Sequence, residues 1–238
     1  MDHAGTIIAL VHKRMKEIIV PGISTYEIDK EAEKVIRENG AIPTEKGYQG
    51  FPCASCTSVN DMLVHGIPDR KTILKDGDII TVDVVATYKG YMADSGWSYT
   101  VGNVRPEVIE FMKVTEEALY KGIEQAVPGN HIGDISNAIQ TYVEAHGYSL
   151  PIEYTGHGIG THMHEDPYVP NVGKPGTGPL LKKGMCIAIE PMTFMGKPHC
   201  YTLSDGWGVK SRDHSLAAHY EHTVAILDDG AKILTKED

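Results

Sequence analysis

Aromatic residues are scarce in this 238-residue chain: three Phe, two Trp and twelve Tyr make up 7% of it. Long apolar runs are missing as well. Nothing approaches the roughly 20 consecutive apolar residues of a membrane helix, so a membrane-spanning class is excluded. The short run Ile7 to Val11 is met at once by Lys13, Arg14, Lys16 and Glu17. No small-residue cleavage site follows, so no secretory leader is expected. Basic clusters are also lacking, and the formal net charge is −10. Affinity for nucleic acid comes largely from Lys and Arg on phosphates, so no nucleic-acid partner is expected. Neither G-x-x-x-x-G-K-[ST] nor G-x-G-x-x-G occurs, which sets aside the common phosphate-cradling loops. Four cysteines are too few for a secreted disulfide scaffold of this length. Cys53 and Cys56 form a C-x-x-C that could be a redox pair or half a zinc site. Cys186 and Cys200 lack finger spacing, and reduced structural thiols are the expectation. A soluble cytoplasmic protein is the default expectation.

What is present is a core-sized apolar fraction, 41%, and a long-period repeat. Val20-Pro21-Gly22 recurs 107 positions later as Val127-Pro128-Gly129. At the same offset Ile28 meets Ile135, Ile36 meets Val143, Gly40 meets Gly147, and Leu74-Lys75-Asp76-Gly77 meets Leu181-Lys182-Lys183-Gly184. Six residues beyond each of those last glycines stands a carboxylate, Asp83 in one copy and Glu190 in the other. No linker divides the chain. The expectation is one catalytic domain, 1–238, made of two similar halves, about 1–105 and 106–238, facing each other across a cleft.

Both copies share local patterns. Apolar spacing predicts helices over Thr6–Ile19, Tyr26–Asn39, Glu107–Ala126 and Asp134–His146. Ser24 or Thr25 is the expected N-cap of the second helix, with Glu27 in its first turn. Gly40 and Gly147 suit helix ends. β-Branched runs predict strands at Ile79–Val85 and Cys186–Glu190, with further strands over Tyr88–Val101 and His219–Leu227. Two helices followed by strands, twice over, is an α+β order.

Acids inside such strands call for a reason, because a buried acid must be paired or ligate metal. Asp83 interrupts a Val/Ile run, Asp94 follows Met92-Ala93, Glu190 sits between Ile189 and Pro191, and Glu221 precedes Thr223-Val224-Ala225-Ile226. His157, in Gly156-His157-Gly158-Ile159-Gly160, supplies a fifth donor. Four carboxylates balance the charge of two divalent ions. Without a cation they would repel one another and hold protons. Oxygen ligands with one nitrogen suit Mn, Fe(II) or Co. His65 and His164 stand beside Gly, Pro and acids in loops, where catalytic groups are often placed.

Val64 to Pro68, Asp78 to Asp94, Tyr154 to Pro167, Ile189-Glu190-Pro191, Asp205-Gly206-Trp207 and Tyr220-Glu221-His222-Thr223 together resemble the type I methionine aminopeptidases of metallopeptidase family M24. The resemblance covers nearly the whole chain. It implies the pita-bread fold, two pseudo-symmetric halves with a curved antiparallel sheet backed by helices. It implies removal of the initiator Met of nascent polypeptides, near the ribosome and by a monomer, when the second residue is small. It implies two divalent ions (Co, Mn, Fe(II) or Zn), bridged by Asp94 and Glu221, with Asp83 completing one shell and His157 with Glu190 the other. Glu190 would shuttle a proton, His164 would serve the carbonyl oxygen, and His65 the nitrogen side of the scissile amide. Tyr48, Phe51, Cys56, Met163 and Trp207 would line the methionine pocket, Phe51 and Met163 standing where Tyr and Phe are expected. By the family's own rule this protein would keep Met1, because Asp2 is large. A separation of 31 positions from Glu190 to Glu221 leaves no room for the helical insert of type II members. Two other readings stay open: an X-Pro aminopeptidase or dipeptidase, for which the 82 residues before Asp83 are short, and a non-enzymatic binding protein of the same fold.

Overall fold

In the computed structural model, described for residues 1–236, four helices back a set of antiparallel sheets. Helix α1 (Asp2–Ile18) buries Ala4, Ile7, Ile8, Val11 and Met15, residues three or four apart on one face. It starts earlier than its apolar pattern because Asp2 is an acid in the first turn, favourable to the helix dipole. Helix α2 (Thr25–Glu38) buries Ile28, Ala32 and Ile36 against α1 and the sheet. Each fully buried Ile contributes about 1.5–3 kcal/mol. Ser24 caps α2 as expected: its Oγ accepts from Glu27 N at 3.2 Å, and Glu27 Oε2 accepts from Ser24 N at 2.9 Å. In the second half, α3 (Pro106–Glu124) opens on a proline and α4 (Ile132–Ala145) follows. Asp134 lies inside the first turn of α4 rather than at its start, and its Oδ2 accepts from His131 N at 2.7 Å.

In the first half, β1 (Ile42–Pro43) and β2 (Cys56–Val59) pair with successive stretches of β4 (Ile79–Tyr88), which pairs along its whole length with β5 (Tyr91–Thr100). Between β2 and β4 lies the short β3 (Met62–Val64). The expected strand from Tyr88 splits here. Tyr88 ends β4, and Lys89-Gly90 turns the chain with φ of 49° and 82°. In the second half, β6 (Thr155–Gly158), β7 (Glu165–Pro170), β8 (Cys186–Ile189), β13 (His222–Leu227) and β14 (Gly230–Ile233) form a five-stranded sheet. Between β8 and β13 run β9 (Met192–Phe194), β10 (Cys200–Thr202), β11 (Val209–Ser211) and β12 (Ala217–His219). β9 pairs with β12, while β10 and β11 form a small sheet with β3. The expected strand His219–Leu227 is broken at Tyr220-Glu221. There Glu221 N leaves its own sheet and donates to Gly96 O of β5 at 2.7 Å.

The halves carry matching contacts. Ser24 bridges Ile73, and His131 bridges Leu180. Gly22 N donates to Leu74 O at 2.8 Å, and Gly129 N to Leu181 O at 3.1 Å, with φ of 98° and 96° at the two glycines. β5 joins the halves. Ser95 Oγ donates to Glu221 O, Thr223 Oγ1 to Asp94 O, and Asp94 N to Thr223 Oγ1, all within 3 Å.

Candidate metal centre and active site

Strand parity gathers the acids. In the β4–β5 hairpin Asp83 pairs with Gly96 and Val85 with Asp94, so both aspartates project from one face. In the second half His157 and Thr223 both pair with Ala188. Glu190 and Glu221 stand two residues beyond Ala188 and Thr223 respectively, on the same face. The cross-half bonds of β5 then close the two faces on each other.

All twelve residues singled out in the sequence line one cavity of about 350 Å³. Asp94, His157 and Glu221 bring ligand atoms within 4.8 Å of one another, and so do Glu190, His219 and Glu221. His157 Nε2 lies 3.7 Å from Asp94 Oδ2 and 3.6 Å from Glu190 Oε1. Asp94, Glu190 and Glu221 are 5%, 8% and 2% exposed. Burial, then the neighbouring carboxylates, pushes their carboxyls well above the usual range. Asp83 is raised to about 6, mainly by burial. Asp83 Oδ1, Asp94 Oδ1 and Glu221 Oε1 are buried with no hydrogen-bond partner among the described residues. Such atoms cost free energy unless a cation takes them. Crowded acids with orphaned oxygens and neutral imidazoles therefore fit divalent ions.

Two residues of the cavity were missed in the sequence. Glu45, in Thr44-Glu45-Lys46-Gly47, has the look of an exposed turn acid, yet it is 7% exposed and lies against Cys56 Sγ at 3.5 Å. Burial, then Asp83, raises its carboxyl. His219 stands two residues before Glu221, and that alternation was the available signal. The C-x-x-C forms no metal site of its own: Cys53 is half-buried, and Cys56 alone groups with Glu45 and Asp83. Burial keeps the Cys56 thiol protonated.

The loops bring the remaining groups in. Tyr48 OH bonds His164 Nδ1 at 2.8 Å, and the His164 ring stands edge-on to His157 with centroids 4.3 Å apart. Burial lowers His164, and it lowers His65 to about 4 with help from His164. His65 adopts φ 58°, a left-handed conformation that non-glycine residues rarely take. Phe51 and Trp207 meet edge-to-face at 5.1 Å, and Phe51 and Met163 are buried in the same cavity wall.

The sequence model of metallopeptidase family M24 matches residues 1–228. The chain belongs to this family. It is 50% identical over 236 residues to methionine aminopeptidase 1 of Bacillus subtilis, covering 99% of this chain and 95% of that one. Against a methionine aminopeptidase structure from Thermotoga maritima the TM-score is 0.98 at 41% identity, covering 100% and 95%. The prolidase of Pyrococcus furiosus shares the fold, with a TM-score of 0.79 at 24% identity, and this chain covers 63% of it. The fold is the pita-bread fold of M24 metallopeptidases. No helix among the described residues is long and apolar enough to cross a membrane.

Proposed function

We propose that this chain is a methionine aminopeptidase that removes the initiator Met of nascent polypeptides when the second residue is small. The observation that carries the reading is one cavity holding both a ring of buried, unpartnered carboxylate atoms and an apolar recess. The near full-length identity to methionine aminopeptidases supports it. Asp83, Asp94, His157, Glu190 and Glu221 would hold two divalent ions. When bound, such ions supply Lewis acidity and lower the pKa of water enough for attack on an amide.

The chain's own residues do the rest. Glu190, as a carboxylate facing the cavity, accepts a proton from the attacking water and passes it to the leaving amine. His164 is neutral and held by Tyr48 OH, so its other ring nitrogen can donate to the carbonyl oxygen as negative charge develops. His65 stands near Trp207 and Tyr154, ring centroids 6.4 and 6.2 Å away, and would serve the nitrogen side of the scissile amide. Tyr48, Phe51, Cys56, Met163 and Trp207 would receive the methionine side chain, a recess that discriminates by a few kcal/mol at most. The matching contacts at offset 107 support one catalytic unit of two related halves. We also assign the protein to the cytoplasm, as a monomer working near the ribosome, with Co, Mn, Fe(II) or Zn as its metal.

The test is turnover of Met-Ala-Ser by metal-free protein reconstituted separately with Mn, Fe(II), Co and Zn, beside Leu-Ala-Ser and a Leu-Pro dipeptide. Metal-dependent release of methionine alone supports the assignment. Cleavage of the proline substrate moves the chain to the dipeptidase branch, and no cleavage of any substrate leaves a binding protein of the same fold.

A further inference from the structure

We propose that His219 is a sixth protein ligand of the metal centre, binding through Nε2 to an ion it shares with Glu190 and Glu221. The inference rests on the metal-centre reading above and adds a residue to it.

His219 ends β12 and is 1% exposed. Its Nε2 lies 3.7 Å from Glu190 Oε2 and 3.6 Å from Glu221 Oε2. Both separations exceed the 2.7–3.2 Å of an N–H···O hydrogen bond. Neither ring nitrogen has a partner among the described residues. A buried imidazole with its N–H and its lone pair both unspent is unfavourable unless something outside the protein takes one of them.

The spacing says what fits. Two ligand atoms on one ion, each at about 2.1 Å in a tetrahedron, lie about 3.4 Å apart. His219 Nε2 stands at nearly that distance from two carboxylate oxygens at once. His157 shows the same signature, 3.6 Å from Glu190 Oε1 and 3.7 Å from Asp94 Oδ2. Each oxygen of Glu190 thus faces its own imidazole. Gly96 makes the room: a Cβ there would fall 2.9 Å from His219 Cε1. With two imidazoles and four carboxylates, the donor set shifts from Mn towards Co(II), Fe(II) and Zn.

The full chain loaded with Co(II) decides the matter by proton NMR. Each imidazole on Co(II) gives one strongly shifted, solvent-exchangeable ring N–H signal. Two such signals are expected in the native protein, one in His219→Gln and the other in His157→Gln. Calorimetry on the metal-free protein should show at least tenfold weaker binding of one Co(II) in His219→Gln. Gly96→Ala, which displaces the ring without removing it, should lose the same signal. A single native signal that survives His219→Gln and vanishes in His157→Gln overturns the proposal and leaves the centre standing. No shifted signal in any protein overturns the centre and the proposal together. Should a variant fail to fold by circular dichroism, the native signal count decides alone.

Discussion

His12 and His219 are both buried, neutral imidazoles packed against neighbouring residues of β5, and their nitrogens are treated in opposite ways. His12 Nδ1 meets Tyr99 OH at 2.7 Å, and its Nε2 meets Ser95 O at 3.1 Å. His219, against Gly96, has no hydrogen-bond partner on either nitrogen among the described residues. The acids divide similarly. Asp29 is fully buried; its Oδ1 accepts from Ala54 N, Ser55 N and Ser55 Oγ, and its Oδ2 is ion-paired with Lys30 Nζ at 3.1 Å. Asp83, Asp94 and Glu221 each leave a buried oxygen orphaned. Where the protein spends every polar atom, the group holds the fold together. Where it leaves atoms unspent in a cluster, the group is kept for a ligand, and stability is given up for it.

The largest expected effect lies on the unspent side. Glu190→Ala should cut Met-Ala-Ser turnover by at least about 10³-fold while circular dichroism and melting stay native-like, because on the proposed reading a proton shuttle and a metal ligand are lost together. Near-normal turnover would remove Glu190 from its role.

Chelation comes next. Metal at about 1,000 times its dissociation constant should stabilise the protein by about 4 kcal/mol. For a chain of this size that is roughly 8–16 °C in Tm. The gain should depend on pH in a defined sense. Asp83 has a folded-state pKa of about 6, above its usual 3.8, in the metal-free protein. A raised carboxyl contributes stability when protonated, below pH 3.8, and loses it as pH rises through 6. The gap in Tm between loaded and chelated protein should therefore widen from pH 4 to pH 7. A constant gap would mean that the acids do not hold protons in the metal-free state.

The spent side answers in stability alone. Asp29→Ala strands two buried backbone N–H groups and should cost about 2–4 kcal/mol in urea unfolding, with turnover per folded molecule unchanged. A comparable loss of turnover would erase the distinction between the two kinds of acid. The smallest effect is expected at Ser24→Ala, which removes one cap and should cost about 1 kcal/mol, again without kinetic consequence.

Much of the scaffold was legible before any coordinates. Ile28, Ala32 and Ile36 announce α2 by spacing, Ser24 and Glu27 its start, and Gly40 its end with φ 73°. The acids stood out because Asp83 and Asp94 interrupt apolar strands. Glu45 did not, because a charged residue in a short Lys-Gly loop looks solvated until a second element covers it. His219 went unread although it alternates with Glu221, and in the structure the chain breaks between them, separating β12 from β13. That break is set by Tyr220 N on Pro191 O and Glu221 N on Gly96 O, contacts from distant parts of the chain. The four cysteines were legible only as a count, and their burial separates Cys56 in the cavity wall from the half-buried others.

Sequence alone determined the four helices and the main strands around the acids, that the pattern repeats at a fixed offset, and which acids are out of place there. Those are properties of neighbours within a few residues, where periodicity and capping act. Only the tertiary structure decided that the two halves close on each other. Ser95 reaches Glu221 and Asp94 reaches Thr223 across more than a hundred residues, and no local preference encodes such a meeting. That closure turns misplaced acids into a crowded, dehydrated ring, and it places His219 and Glu45 within the cavity.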